Sequence, residues 1–368
     1  MAEPIRVLHI LQRMEAGGTQ ALLMNIYKKI DRSKVQFDFL VVYKEKQFYD
    51  DEIEQLGGRL YKLSFREDFN LVKFRRELNR FFKEHNEYGI IHCHAYTIGY
   101  FCLRAAKKNG VTVRIIHSHS NGIVHDKKYY LKLFMQKVYL KHATDFFACS
   151  EEAGKYLFKD RKFSVLNNAI DSEKFIADEN TRRIVRSELG VENKFVVGHV
   201  GRLHPEKNHA FLLDVFVEIR KKKESAVLLL IGTGPLEQEI KKKVENSGLT
   251  EYVFFLKNRK NMNQIYQAMD IFVFPSLFEG LGIVAVEAQA AGVPVVCSEG
   301  LPPETEITPL YKRLQLSDGT EKWADEAIKA AQNLAGHRNM QKYVVEAGFD
   351  IDATANMIQK YYLKKQVF

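Results

Sequence analysis

The chain has 368 residues, 46% of them apolar, with 55 Lys+Arg against 46 Asp+Glu and a formal charge of +9. That length suits two domains of roughly 170 to 190 residues, each with its own core. No run of about 20 apolar residues is present to span a bilayer, and no zinc spacing, RNP-like aromatic strand or basic zipper invites nucleic acid.

Met1-Ala2-Glu3-Pro4 carries an acid and leads straight into a strand, so no secretory leader is expected. Cys93, Cys102, Cys149 and Cys297 show no C-x-x-C spacing, as free thiols in a reducing cytosol would. Residues 5–11 form the first predicted strand. Ala16-Gly17-Gly18-Thr19-Gln20 then leads into a helical run over 21–30. Adjacent glycines before a helix let backbone amides reach an anion, although this is not the G-x-G-x-x-G pattern of dinucleotide sites. Further strands are predicted at 37–43, 90–94, 113–118 and 146–150. After a charged, helix-like interval at 173–190 the rhythm restarts, with strands at 195–200, 227–231, 253–256, 271–274 and 293–297. Short apolar runs alternating with helical stretches predict α/β architecture, parallel sheets with crossover helices. The boundary falls within 171–194, giving domains 1–171 and 172–350.

Glu279 and Glu287 carry the most information about function. Ile271-Phe272-Val273-Phe274 is a buried-strand run, stopped by Pro275 and Ser276. Gly280 and Gly282 free the backbone to turn. A helix over 283–291 follows, closed by Gly292 with Pro294 just beyond. One carboxylate thus sits in a strand-to-helix loop and the other about one turn inside the helix. Between them lies a helix N-terminus whose bare amides favour phosphate. A sugar nucleotide can be held there at three points: Glu287 on two ribose hydroxyls, the amides of Gly280, Leu281 and Gly282 on the diphosphate, and Glu279 on the sugar. The plainer reading makes both glutamates solvated. It fits Glu287 badly, because among Val284, Ala285, Val286 and Ala288 an ionised carboxylate needs a partner. Gly201-Arg202, five residues before Lys207 and just past a strand, forms a second cluster. Arg binds phosphate in a fork and Lys as a point charge, and Gly201 lets the loop approach a ligand closely.

Together these motifs resemble family 4 of the retaining glycosyltransferases, which has the GT-B fold. The resemblance covers most of the chain. It takes in Gly17-Gly18, then His117-Ser118-His119-Ser120-Asn121, then Val165-Leu166-Asn167-Asn168-Ala169-Ile170-Asp171, which is similar to the family's N-G-I/V-D segment. Gly201-Arg202 with Lys207, Ile231-Gly232-Thr233-Gly234-Pro235 and the E-x7-E signature from Glu279 to Glu287 complete it. It implies two Rossmann-like domains with parallel sheets facing across a cleft, the acceptor in the first and the donor in the second, and a C-terminal helix within 351–368 packing back on the first. It places the diphosphate on Arg202 and Lys207, the ribose on Glu287 and the donor sugar at Glu279. Gly17 and Gly18 join the donor side. A histidine of the first domain, His119 or His117, lies near the transferred sugar, with His94 also on that side. The departures are Ala169 in place of the usual glycine and Gln20-Ala21 where relatives often carry Glu-Arg.

The implied reaction moves a hexosyl unit from a nucleotide diphosphate sugar, a UDP-sugar on this reading, to a polyprenyl-linked glycan acceptor in exopolysaccharide, capsule or cell-wall glycan synthesis. Glu279, His119, Arg202 and Lys207 are the expected catalytic set. An oxocarbenium-like transition state leaving a pyrophosphate needs that charge neutralised where it develops. Front-face attack, with the leaving phosphate taking the acceptor proton, gives retention. A sugar-nucleotide epimerase or a catalytically silent sugar-nucleotide-binding partner of another transferase would use the same grip. No metal or other cofactor is expected, since Asp350-Ile351-Asp352 stands at the start of a C-terminal helix, where capping explains it.

Charge is unevenly divided. Residues 1–170 hold 29 Lys+Arg against 19 Asp+Glu, and residues 171–368 hold 26 against 27. The excess lies on the acceptor domain, concentrated with apolar residues at 69–83 and 127–134, where Lys127 and Lys128 precede Tyr129 and Tyr130. Such segments suit an anionic membrane surface, or are ordinary helices with one buried face. A cytoplasmic protein, peripheral on the inner face of the plasma membrane, is the expectation.

Overall fold

The computed structural model describes residues 3–65, 70–95, 98–120, 122, 130, 133, 137–257, 259, 261–332 and 339–366. Phe69, Asn121, Lys127, Lys128 and Tyr129 lie outside them, so the expectation for 127–134 is not addressed by the structure. The chain forms two compact units, Met1–Ala169 with Ile351–Phe368, and Ile170–Asp350.

The first unit is built on seven strands: β1 (Ile5–Ile10), β2 (Val35–Val41), β3 (Leu60–Lys62), β4 (Ile90–Cys93), β5 (Val113–Ser118), β6 (Asp145–Ala148) and β7 (Ser164–Val165). They form one parallel sheet in the order β3-β2-β1-β4-β5-β6-β7. Helices α1 (Gly18–Lys29), α2 (Asp50–Gln55), α3 (Leu71–Glu84), α4 (Gly99–Lys108) and α5 (Glu151–Phe158) connect them. Near-continuous Val, Ile and Phe make the central strands, because a parallel sheet is covered on both faces. Val7, Phe37, Phe39, Ile90 and Ile115 form its core with Leu22, Leu23 and Tyr27 of α1.

The second unit has six parallel strands, β8 (Phe195–Val200), β9 (Ala226–Ile231), β10 (Val253–Leu256), β11 (Ile271–Phe274), β12 (Val295–Ser298) and β13 (Tyr311–Leu314), in the order β10-β9-β8-β11-β12-β13. Its helices are α6 (Glu179–Glu188), α7 (His209–Lys222), α8 (Glu237–Asn246), α9 (Met262–Gln267), α10 (Ile283–Ala290), α11 (Thr320–Gln332) and α12 (Gln341–Glu346). In both units the strand order reverses between the first and fourth strands. Open parallel sheets bind ligands beyond the carboxyl ends of their strands at that point.

The last helix, α13 (Ile351–Gln366), belongs to the first unit. Ile351, Ile358 and Tyr362 enter the core of that unit. Asp352 pairs with Lys29 at 3.2 Å, and Gln359 accepts from the Asp31 amide at 2.6 Å. Ala169, where the family carries glycine, does not have a left-handed backbone, so alanine fits without strain. No described helix is long and apolar enough to cross a membrane.

Candidate active site

In the second unit, β8 ends at Val200 and the chain turns through Gly201 and Arg202 into the 3-10 turn Pro205–Lys207. Asn208 then takes a left-handed conformation (φ 53°), a geometry asparagine tolerates better than most residues. It separates that turn from α7 and caps both. Gly201 leaves room for the lysine, since a Cβ there would lie 3.3 Å from the Lys207 stem. Lys207 Nζ donates to Glu279 Oε1 at 2.5 Å, both side chains being largely buried. The ammonium also lies 4.9 Å from the centroid of the Phe274 ring. Arg202 is different: its side chain is 66% exposed, and Nη2 donates to the buried Glu206 at 3.0 Å. The other oxygen of Glu206 meets His204 Nδ1. Glu206 therefore anchors one edge of the guanidinium and leaves the rest outward. Its own carbonyl accepts from the Leu277 amide at 2.8 Å, tying the loop after β8 to the loop after β11.

The second loop is held from the other side, where the Glu279 amide donates to the Gly300 carbonyl at 3.0 Å. Gly282 (φ 79°) precedes α10, whose N-terminus has no side-chain cap. An uncapped first turn leaves amides for an anion. We expect Gly282→Ala to cost about 1–2 kcal/mol, because a Cβ in the left-handed region is strained. The turn would shift and nucleotide diphosphate binding would weaken with it. Thermal melts and calorimetry check this, and wild-type values in both would contradict it.

Glu287, on the fifth residue of α10, accepts from Tyr266 Oη at 2.8 Å. Burial pushes its carboxyl up to about 7, against the opposing pull of that hydrogen bond. A carboxylate held at such cost waits for further donors, which ribose hydroxyls would supply.

The first unit presents a different chemistry. Gly17 caps α1 in an extended conformation, and a Cβ on it would come within 2.7 Å of Gln20 Oε1. Gln20 Nε2 donates to the Arg13 carbonyl at 2.9 Å, so the residue that departs from the family pattern braces the glycine loop. His9, His92, His94, His117 and His119 stand together near the carboxyl ends of β1, β4 and β5. His94 meets His9 Nδ1 through Nε2 at 3.1 Å and His119 Nε2 through Nδ1 at 2.8 Å. His117 is buried and stacks on the partly exposed His119 at 4.1 Å. Burial lowers all five, His9 and His119 to about 3, so the array is neutral at ordinary pH. His94, His117 and His119 have ring nitrogens within 4.8 Å of one another, as do His9, His92 and His94. The His92–His94 and His117–His119 rings lie within 24° and 29° of parallel. His94 links His9 and His119, whereas both ring nitrogens of His117 and the Nε2 atoms of His9 and His92 are buried with no hydrogen-bond partner among the described residues.

The structure thus joins Lys207 to Glu279 directly and Arg202 to the same loop through Glu206. It sets Glu287 on the next helix, and it gathers His94, His117 and His119. Asp350 and Asp352 go to separate partners, Ser172 Oγ at 2.6 Å and Lys29. Sequence reasoning missed Glu206, Tyr266, His9 and His92. Glu206 adjoins Lys207 and could have been weighed. Tyr266 reaches Glu287 from a separate helix, and no spacing signals that.

Two sequence families match the chain, that described as Glycosyl transferases group 1 over residues 180–350 and Glycosyltransferase Family 4 over residues 16–174. The Bacillus subtilis (strain 168) protein named as glycosyltransferase EpsF is 34% identical, over 97% of this chain and 96% of its own. The Escherichia coli UDP-Gal:alpha-D-GlcNAc-diphosphoundecaprenol alpha-1,3-galactosyltransferase is 26% identical over 80% of this chain and 79% of its own. Among solved structures, Anabaena HepE in complex with UDP-glucose superposes with a TM-score of 0.79 at 19% identity, covering 98% of this chain and 99% of that one.

Proposed function

The chain belongs to the family 4 glycosyltransferases, and from that premise we propose that it is a retaining hexosyltransferase that uses a UDP-sugar and a polyprenyl-linked glycan acceptor in exopolysaccharide or capsule synthesis. The observation that carries the reading is the pairing of Lys207 with Glu279 beside an outward Arg202, at the switch point of the second sheet. Two cations and an uncapped helix N-terminus match a diphosphate, and a carboxylate within reach of the same lysine matches the sugar attached to it. Glu287 takes the ribose. As the glycosidic bond breaks, charge accumulates on the β-phosphate, where Arg202, Lys207 and the first amides of α10 stabilise it. The acceptor hydroxyl attacks from the same face and passes its proton to the leaving phosphate. His119, neutral and partly exposed, would act by hydrogen bonding, not as a cation. Support for UDP and for a lipid carrier comes from the names of the relatives.

Purified protein incubated with a panel of nucleotide sugars, with and without membrane extract, tests this. Release of nucleotide diphosphate that requires the extract is expected. Acceptor-free interconversion of sugars, or binding without turnover, would replace this reading with an epimerase or a silent partner. The proposed diphosphate grip needs no divalent cation, because Arg202 and Lys207 supply the positive charge. Activity is therefore expected to be unchanged in EDTA, and its loss with recovery in Mg²⁺ or Mn²⁺ would overturn this part. The acceptor's lipid carrier would bring the first unit to an anionic membrane surface.

A further inference from the structure

Helices α3 and α4 of the first unit enclose a shallow groove lined by Arg75, Leu78, Asn79, Phe101, Arg104 and Lys108. No carboxylate lines it. Arg75 and Lys108 have no ion-pair partner among the described residues, and Arg104 reaches only Tyr100 Oη, at 3.2 Å. Around it Arg76, Arg80 and Lys83 on α3 and Lys107 on α4 are exposed and likewise unpaired among the described residues. Elsewhere some surface lysines are matched, Lys28 with Glu52, Lys222 with Asp325 and Lys243 with Asp214, while others such as Lys155, Lys242 and Lys329 have no ion pair among the described residues, so what marks the groove is the gathering of its cations. Glu77 and Glu84 are the acids of α3, and neither enters the groove.

The fold produces this arrangement simply. Phe74, Leu78, Phe81 and Phe82 commit one face of α3 to the core, so its arginines must face out. At the start of the same helix Leu71 is 40% exposed and Val72 69% exposed. A concave cluster of unpaired cations beside exposed apolar side chains matches a phosphate at an interface, with acyl chains just beneath it.

We propose that this groove binds the phosphate of an anionic phospholipid headgroup, with Leu71 and Val72 entering the headgroup boundary. The proposal deepens the membrane-surface reading above by giving it a site, and it holds or fails independently of the transferase reading. At low salt the protein is expected to co-sediment with phosphatidylglycerol vesicles and not with phosphatidylcholine vesicles, and salt should release it. Arg75→Glu with Arg104→Glu and Lys108→Glu should lower vesicle binding about tenfold or more. UDP affinity should stay at the wild-type value, which also shows that the variant folds. A control of equal charge change on the second unit, Lys221→Glu with Lys242→Glu and Lys342→Glu, should bind vesicles as wild type does. Equal binding by the groove variant, or an equal loss in the control, would overturn the site. Saturable binding of inorganic phosphate at the groove without any vesicle binding would overturn the lipid assignment.

Discussion

Replacing Glu287 by glutamine is expected to stabilise the protein at pH 8 while weakening its hold on UDP. Burial raises the folded-state pKa of this carboxyl to about 7 from the ordinary 4.5. The folded state therefore binds more protons than the unfolded chain between those values, and stability from this group falls as pH rises through about 4.5 to 7. Above 7 the full cost of burying the charge is present. Glutamine removes it and can still accept from Tyr266, so the ligand-free variant should gain about 1–3 kcal/mol at pH 8 and nothing near pH 4.5. The effect on UDP has the opposite sign. In the proposed complex ribose hydroxyls donate to the ionised carboxylate, and glutamine should weaken that contact by about 1–3 kcal/mol. Wild-type affinity should also decline below pH 7, as binding has to expel the carboxyl proton. The difference between wild type and variant isolates that component from the titration of UDP itself. Melts and calorimetry from pH 5 to 8.5 decide the matter. A variant no more stable at pH 8 would mean that Glu287 is not held as a costly buried acid.

How much of this was legible in the sequence depends on whether a feature is local. Strands β9 and β11 fall where uninterrupted Val, Ile, Leu and Phe put them, because a covered parallel strand is apolar on both faces. The helix read at 283–291 is α10, Ile283–Ala290, with Gly292 at positive φ closing it as its sequence requires. The strand expected at 37–43 is Val35–Val41, displaced because the apolar run from Phe39 to Val42 continues past the ladder. Leu60–Lys62, Ser164–Val165 and Tyr311–Leu314 were missed. All three are sheet edges, short and partly polar, where one neighbour suffices and no apolar run is demanded. Side-chain pairing was the least legible. Glu279 was assigned to the sugar alone, yet it holds Lys207, a partner 72 positions away that no periodicity reveals.

That pairing shapes the largest effect on catalysis. Lys207→Ala is expected to lower kcat by about 10²- to 10³-fold, the usual loss when one stabilising charge is removed from a developing anion. Glu279→Gln should also abolish most transfer, but with another signature. In the ligand-free protein Glu279 and Lys207 neutralise each other in a largely buried place. Losing the acid strands the ammonium, so the unliganded variant should melt earlier than wild type. UDP brings its own negative charge to that ammonium and meets no competing carboxylate, so its affinity should be unchanged or higher. The stabilisation produced by UDP should then exceed that of wild type. Lys207→Ala should instead lose both affinity and turnover, and the double variant should be no slower than Lys207→Ala alone if the two act as a unit. Calorimetry with UDP, melts with and without it, and single-turnover transfer separate these outcomes. A Glu279→Gln variant that lost UDP affinity as Lys207→Ala does would show that Glu279 serves the nucleotide and not the sugar.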